Sequence, residues 1–117
     1  MAENKYKAKR VTVDGIEFDS LKEAKRYGEL KILQTKGYIQ DLELQKKYVL
    51  IQKQIGKDGK VAERECAYYA DFYYRFSDTL EEVVEDVKGY RKSKAYDVFV
   101  IKRKLMLKLF GIRVKER

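Results

Sequence analysis

Histidine is absent from the 117 residues. Its absence removes serine or cysteine nucleophiles paired with histidine, histidine general bases and histidine-ligated metals. Cysteine occurs once, at Cys66, so the chain can close no internal disulfide and build no cysteine zinc site by itself. Cys66 reads as a buried strand residue in a reducing compartment. There is no proline, no internal repeat and no low-complexity linker. No apolar run approaches bilayer-spanning length, and the basic N-terminus lacks the apolar segment of a secretory signal. Together these absences lead to the expectation of a soluble, cytoplasmic protein. Any hydrolytic chemistry left to it must run on carboxylates, lysine and a hard cation.

What is present begins with a length suited to one core and too short for two. Residues 1–10 are polar and basic without apolar periodicity and read as a flexible arm, leaving residues 11–117 as a single domain. Hydrophobic residues make up 44% of the chain, enough to fold despite a 39% charged content. The formal charge of +8 favours a polyanionic partner such as nucleic acid. Solubility alone explains many basic proteins, so the distribution of charge matters more than its sum. Residues 62–87 hold eight acids and two bases, whereas residues 88–117 hold eleven bases and two acids. The acids gather where a cation could sit, and the bases follow where phosphates could run.

Val11, Val13, Ile16 and Phe18 flank Asp14-Gly15, a dipeptide suited to a type I′ hairpin turn. Ser20-Leu21-Lys22-Glu23 has the form of a capping box. Leu21, Ala24, Tyr27, Leu30 and Leu33 then fall near helical spacing up to Gly37, which predicts a helix over residues 21–36. Strands are predicted over residues 38–44 and 47–55, separated by the polar Gln45 and Lys46, and a longer one over 61–76. A strand over 82–88, a basic loop, a helix over 95–110 stopped by Gly111, and a short strand over 112–115 complete the order. The expected fold is an α/β sandwich with a mixed sheet and helices against it.

Strand geometry puts residues two apart on one face, so Asp86 and Lys88 point one way and Val83, Glu85 and Val87 the other. Taken alone, such an acid-x-base triplet reads as an ion pair worth little at an exposed site. The preceding strand changes its weight. Tyr68-Tyr69-Ala70-Asp71-Phe72-Tyr73-Tyr74 carries one acid in an aromatic run, and that acid needs a partner or a cation. If the two strands pair, Asp71 and Asp86 converge, and an oxygen-rich pair of this kind suits Mg²⁺ or Mn²⁺. Arg91, Lys92 and Lys94 lie just beyond, where a loop could touch the phosphates of DNA. Strand propensity and core packing account for Tyr68, Tyr69, Tyr73 and Tyr74 better than base stacking does.

Ala70-Asp71, then fourteen residues, then Asp86-Val87-Lys88-Gly89 resembles the split motif of the PD-(D/E)XK nuclease superfamily. The helix opening Ser20-Leu21-Lys22-Glu23-Ala24-Lys25-Arg26-Tyr27 resembles the acidic first helix of some branches. Asp41-Leu42-Glu43-Leu44-Gln45, with Tyr48 and Leu50, resembles strands of small phage-encoded members and of transposon-end nucleases. The likeness runs from about Phe18 to Val114 and departs at Ala70, where the motif name has proline, a residue that ligates no metal.

The resemblance implies a restriction-endonuclease-like αβββαβ core, here preceded by a hairpin. It implies Asp71 and Asp86 as ligands of Mg²⁺ (Mn²⁺ substituting), with the Val87 carbonyl and Glu23 completing the site. Lys88 would orient the attacking water and stabilise charge on the scissile phosphate. Glu23 stays divided between that role and its role as a helix cap, and Gln45 enters as a DNA contact only through the resemblance. The implied activity is a metal-dependent DNA endonuclease. With no separate module for reading bases, selection of branched or junction DNA by shape suits so small a chain, and symmetric cutting suits a homodimer. Two other readings stand beside it: a site-specific or transposon-end nuclease that depends on a recombination or replication partner protein, and a non-catalytic nucleic-acid-binding module.

Overall fold

A computed structural model describes residues 10–117. The arm read at residues 1–10 lies outside the described residues except for Arg10, which pairs with Glu17 at 2.9 Å. The chain opens with β1 (Val11–Val13) and β2 (Ile16–Phe18), an antiparallel hairpin. Its turn residues Asp14 and Gly15 have φ of 53° and 74°, the left-handed pair that a type I′ turn requires. Helix α1 (Leu21–Thr35) starts at Ser20, whose side chain accepts the Glu23 backbone N–H at 3.1 Å. Then come β3 (Ile39–Ile51), β4 (Gln54–Ile55), β5 (Val61–Glu63), β6 (Cys66–Phe76), β7 (Glu82–Asp86), α2 (Lys94–Phe110) and β8 (Lys115–Glu116). Gly111 ends α2 at φ 68°.

One four-stranded sheet, in the order β3-β6-β7-β8, organises the molecule. The first two pairings are antiparallel and β7/β8 is parallel, with α2 as the crossover between them. The fold is therefore mixed α/β. On one face, Ala24, Tyr27 and Leu30 of α1 pack on Ile39, Phe72, Tyr74 and Val83. On the other, Phe99 and Met106 of α2 pack on Tyr48, Tyr68, Ala70 and Val84. Burial of these apolar side chains, at about 1.5–3 kcal/mol each, is the main force holding the helices to the sheet.

Three expectations are corrected. The polar pair Gln45-Lys46 does not divide two strands: β3 runs through it, and Gln45 takes φ 52° within the strand. The long strand over 61–76 is instead β5 and β6, with β5 pairing only with β4 in a separate exposed hairpin. The last strand lies at Lys115–Glu116, later than residues 112–115, because Val114 is spent in the core. No described helix is long and apolar enough to cross a membrane.

Candidate functional site

The two central strands change face together. On β3, Leu42 and Leu44 pack with α1 while Tyr48 and Leu50 pack with α2. On β6, Tyr68 and Ala70 lie on the α2 side and Phe72 and Tyr74 on the α1 side. Strict alternation would keep residues two apart on one side, so the strands switch at about Gln45 and Asp71, positions that the ladder sets opposite each other. Pairing of β6 with β7 stops at Phe72 and Glu85. Beyond that pair the strands diverge, and the Val87 N–H donates at 2.9 Å to the Asp71 carboxylate rather than to β6 backbone. Asp71 thus sits in the fork of the sheet, with Gln45 Nε2 donating to its other oxygen at 3.0 Å.

Asp86, the last residue of β7, is only 5% exposed. Asp71 is its acidic neighbour. The second oxygen of Asp86 accepts from the buried Tyr68 hydroxyl at 2.5 Å, and Lys88 Nζ lies 3.3 Å from the first. Burial, and then the neighbouring Asp71, push the Asp86 carboxyl up to about 7. Burial likewise raises Asp71, against the opposing hydrogen bonds from Val87 and Gln45. Glu23 is buried, its carboxyl is raised by that burial, and it lines a cleft together with Asp71. Asp71 therefore stands between the other two acids, sharing one cleft with Glu23 and another with Asp86. The Lys88 ammonium also lies 3.8 Å over the Phe99 ring, a cation–π contact that fixes it under α2.

Clefts open on both sides of Asp71. One, of about 310 Å³, is lined by Asp71, Asp86, Lys88, Tyr69, Val98 and Lys102 among others. The other, of about 220 Å³, includes Glu23, Gln45 and Asp71. Among the described residues no three acidic, cysteine or histidine side chains form a ready-made metal cage. The donor set nonetheless fits a hard divalent cation. It is all oxygen, and it brings the half-buried Asp71 beside the buried Asp86, two carboxyls whose mutual repulsion such a cation would relieve.

The remaining expected residues fall as follows. Val87 meets Asp71 through its N–H, as above. Arg91 is drawn to Glu116, 3.4 Å away. Lys92 and Lys94 are exposed near the start of α2. Tyr68, Tyr73 and Tyr74 are core residues as expected, but Tyr69 is not: it is 53% exposed on the rim of the larger cleft.

Several supports escaped the sequence reading. Glu85, fully buried, accepts from Arg26 Nε and Nη2 at 2.7 and 2.6 Å, from the Tyr74 hydroxyl, and from Arg117 at 3.2 Å. Lys22 donates to the Lys88 carbonyl at 2.7 Å. Arg117 brackets the motif, its N–H on the Asp86 carbonyl and its carbonyl on the Lys88 N–H. A glutamate on the valine side of β7 was the available signal, since an acid on a buried face demands a cation.

No curated protein and no solved structure matches the chain. A family described as "Protein of unknown function (DUF1064)" matches residues 3–115. That span takes in both helices, all of the sheet but Glu116 at its last strand, and Glu23, Asp71, Asp86 and Lys88, and the chain belongs to this family.

Proposed function

We propose that this chain is a divalent-cation-dependent DNA endonuclease with a restriction-endonuclease-like core. One observation carries the reading: Asp71 and Asp86 line one cleft at an open fork of the sheet, with the Lys88 ammonium 3.3 Å from the same Asp86. The strand order and the two flanking helices agree with an αβββαβ core. A Mg²⁺ or Mn²⁺ ion held by Asp71 and Asp86 would supply Lewis-acid stabilisation of a phosphodiester and a nucleophilic water at neutral pH.

The chain's own residues do the rest. Gln45 and the Val87 N–H fix Asp71, and Tyr68 fixes Asp86, so both acids are oriented before substrate arrives. Glu23, delivered by α1, extends the acidic centre through Asp71. Lys88, held over Phe99, is positioned to orient water and to offset the charge that builds on a phosphate at the cleft. The basic segment after Lys88 would carry the flanking backbone, with Lys92 and Lys94 as phosphate contacts. The proposed substrate is branched or junction DNA in phage-type recombination, cut by a homodimer.

The test is an assay with Mg²⁺ on linear, flapped and four-way junction DNA, with sedimentation of the same preparation. Branched forms should be cut by a dimeric species, and Asp86→Ala and Lys88→Ala should each lose about 10²-fold or more. Variants as active as wild type would assign the cleavage to a contaminant. Cleavage by a monomer would remove the homodimer alone.

A further inference from the structure

Two ammonium groups line the larger cleft, in different circumstances. Lys88 is committed: it lies 3.3 Å from Asp86 and 3.8 Å over the Phe99 ring. Lys102 is half-buried and makes no ion pair among the described residues. Its ammonium donates to the Ala67 carbonyl at 2.9 Å, which uses one of its three donors and leaves two for a ligand. Desolvating a cation without an anion costs free energy, and an arriving anion recovers that cost. The other bases of this part of α2 stand apart from the cleft: Arg103 is paired with Glu116 at 2.7 Å, and Lys104 and Lys108 are exposed.

The position of Lys102 decides which anion it meets. Ala95, Val98, Phe99 and Lys102 follow helical spacing, so one side of α2 lines the cleft from the first turn as far as Lys102, and that side is apolar until the ammonium. Ala67, which anchors the ammonium, lies four residues before Asp71 on β6, about 13 Å along the strand. An ion pair reaches about 4 Å, so a phosphate held at Asp71 and Asp86 stays out of reach of Lys102. We infer that Lys102 clamps a second backbone phosphate of the cut strand, next along the cleft from the scissile one. The inference rests on the nuclease reading and adds a phosphate subsite to it. Such a contact sets the register of the strand against the acidic centre without reading its sequence.

The first experiment is duplex binding without metal, read by anisotropy over a salt series. Lys102→Gln keeps a donor for the Ala67 carbonyl and drops the charge, so the anchoring of α2 is preserved while the clamp is lost. Each phosphate neutralised contributes about 0.9 to the slope of log K against log salt, and the slope should flatten by that much. Kd should rise about tenfold, and Lys102→Arg should restore both quantities. An unchanged slope in Lys102→Gln overturns the inference, as does a protein that binds no DNA.

Cleavage then places the subsite and separates it from the reading beneath it. On junction DNA carrying one methylphosphonate, which removes the charge of a single phosphate, kcat/KM of the wild type should fall about tenfold at one position flanking the cut. Lys102→Gln should lose that factor on unmodified DNA and nothing further at that position, while staying sensitive at the others. A variant as sensitive as wild type at every flanking position overturns the inference, because Lys102 then only supports α2. Mg²⁺-dependent cutting with an unchanged salt slope in Lys102→Gln leaves the nuclease standing without the clamp. A flattened slope without any cutting defeats the nuclease and leaves Lys102 as a phosphate contact of a binding protein.

Discussion

Tyr48 occupies the core between β3 and α2, its ring 5.3 Å from that of Phe110. Its hydroxyl is buried and, among the described residues, finds no hydrogen-bond partner. Burial pushes that hydroxyl's pKa up to about 12, so it stays protonated and forfeits its hydration for nothing. Removing an unsatisfied buried polar atom without changing ring shape recovers part of that desolvation cost, about 1 kcal/mol. Tyr48→Phe is expected to raise the midpoint of denaturant unfolding at unchanged slope, and a lowered midpoint would show that the hydroxyl is paired in solution. Glu116 is the opposite case, a carboxylate with three donors: Tyr96 at 2.7 Å, Arg103 at 2.7 Å and Arg91 at 3.4 Å. Burial lifts its pKa, and the hydrogen bonds from these partners outweigh that lift and leave it lowered from 4.5. A lowered carboxyl stabilises the fold fully above its unfolded value and loses that contribution as pH falls through the folded value. Glu116→Gln is therefore expected to cost about 1 kcal/mol at neutral pH. The gap to wild type should close as pH drops below 4.5 in acid titrations of stability. A gap that widens in acid would contradict the assignment.

At the scale of elements, the acidic centre is assembled by a buried lock between α1 and β7. Arg26 lies one turn past Glu23 and Lys22, and Glu85 stands one residue before Asp86, so the pairing of Arg26 with Glu85 fixes both sides of the centre at once. Breaking this pair leaves the part-buried Arg26 guanidinium with only the exposed Glu29, 3.5 Å away, and costs about 3 kcal/mol. Glu85→Gln, which keeps the volume and drops the charge, should lower stability by that order in chemical denaturation. A loss under about 1 kcal/mol would mean that water reaches Arg26. The lock also shows where the sequence could be read and where it could not. The hairpin at Asp14-Gly15, the cap at Ser20 and the stop at Gly111 were legible because each is a local backbone requirement met by particular residue types. Asp71 and Asp86 stand one position beyond the last pair, Phe72 with Glu85, so the pairing of their strands was enough to bring them near each other even though strict alternation breaks at Asp71. The break assigned to Gln45-Lys46 failed because polarity was taken for a strand end, whereas the left-handed turn at Gln45 lets the strand twist and change face. Glu85 was counted with the valines, and its arginine partners lie 59 and 32 residues away, beyond any local pattern.

Across the whole molecule, the radius of gyration is 16.8 Å, against about 13 Å for a compact chain of this length. The β4/β5 hairpin, almost wholly exposed and paired only within itself, is consistent with that spread. A chain this extended offers a long surface to a polyanion, and the charge on it is ordered. Among the described acids, Glu85 and Glu116 are tied up by arginines, so Arg26, Arg91, Arg103 and Arg117 are partly spent inside the protein. Lys92 and Lys94 are exposed and make no ion pair among the described residues, which leaves their full charge for phosphate. Each phosphate neutralised releases condensed counterion and contributes about 0.9 to the slope of log K against log salt on duplex DNA. Replacing both lysines by alanine should therefore flatten the slope by about 2 and weaken binding evenly across sequences. The fold should be untouched, since neither side chain is buried. Fluorescence anisotropy over a salt series reads both quantities. An unchanged slope would move the DNA track off the start of α2, and a loss confined to one sequence would mean that these lysines read bases instead of backbone.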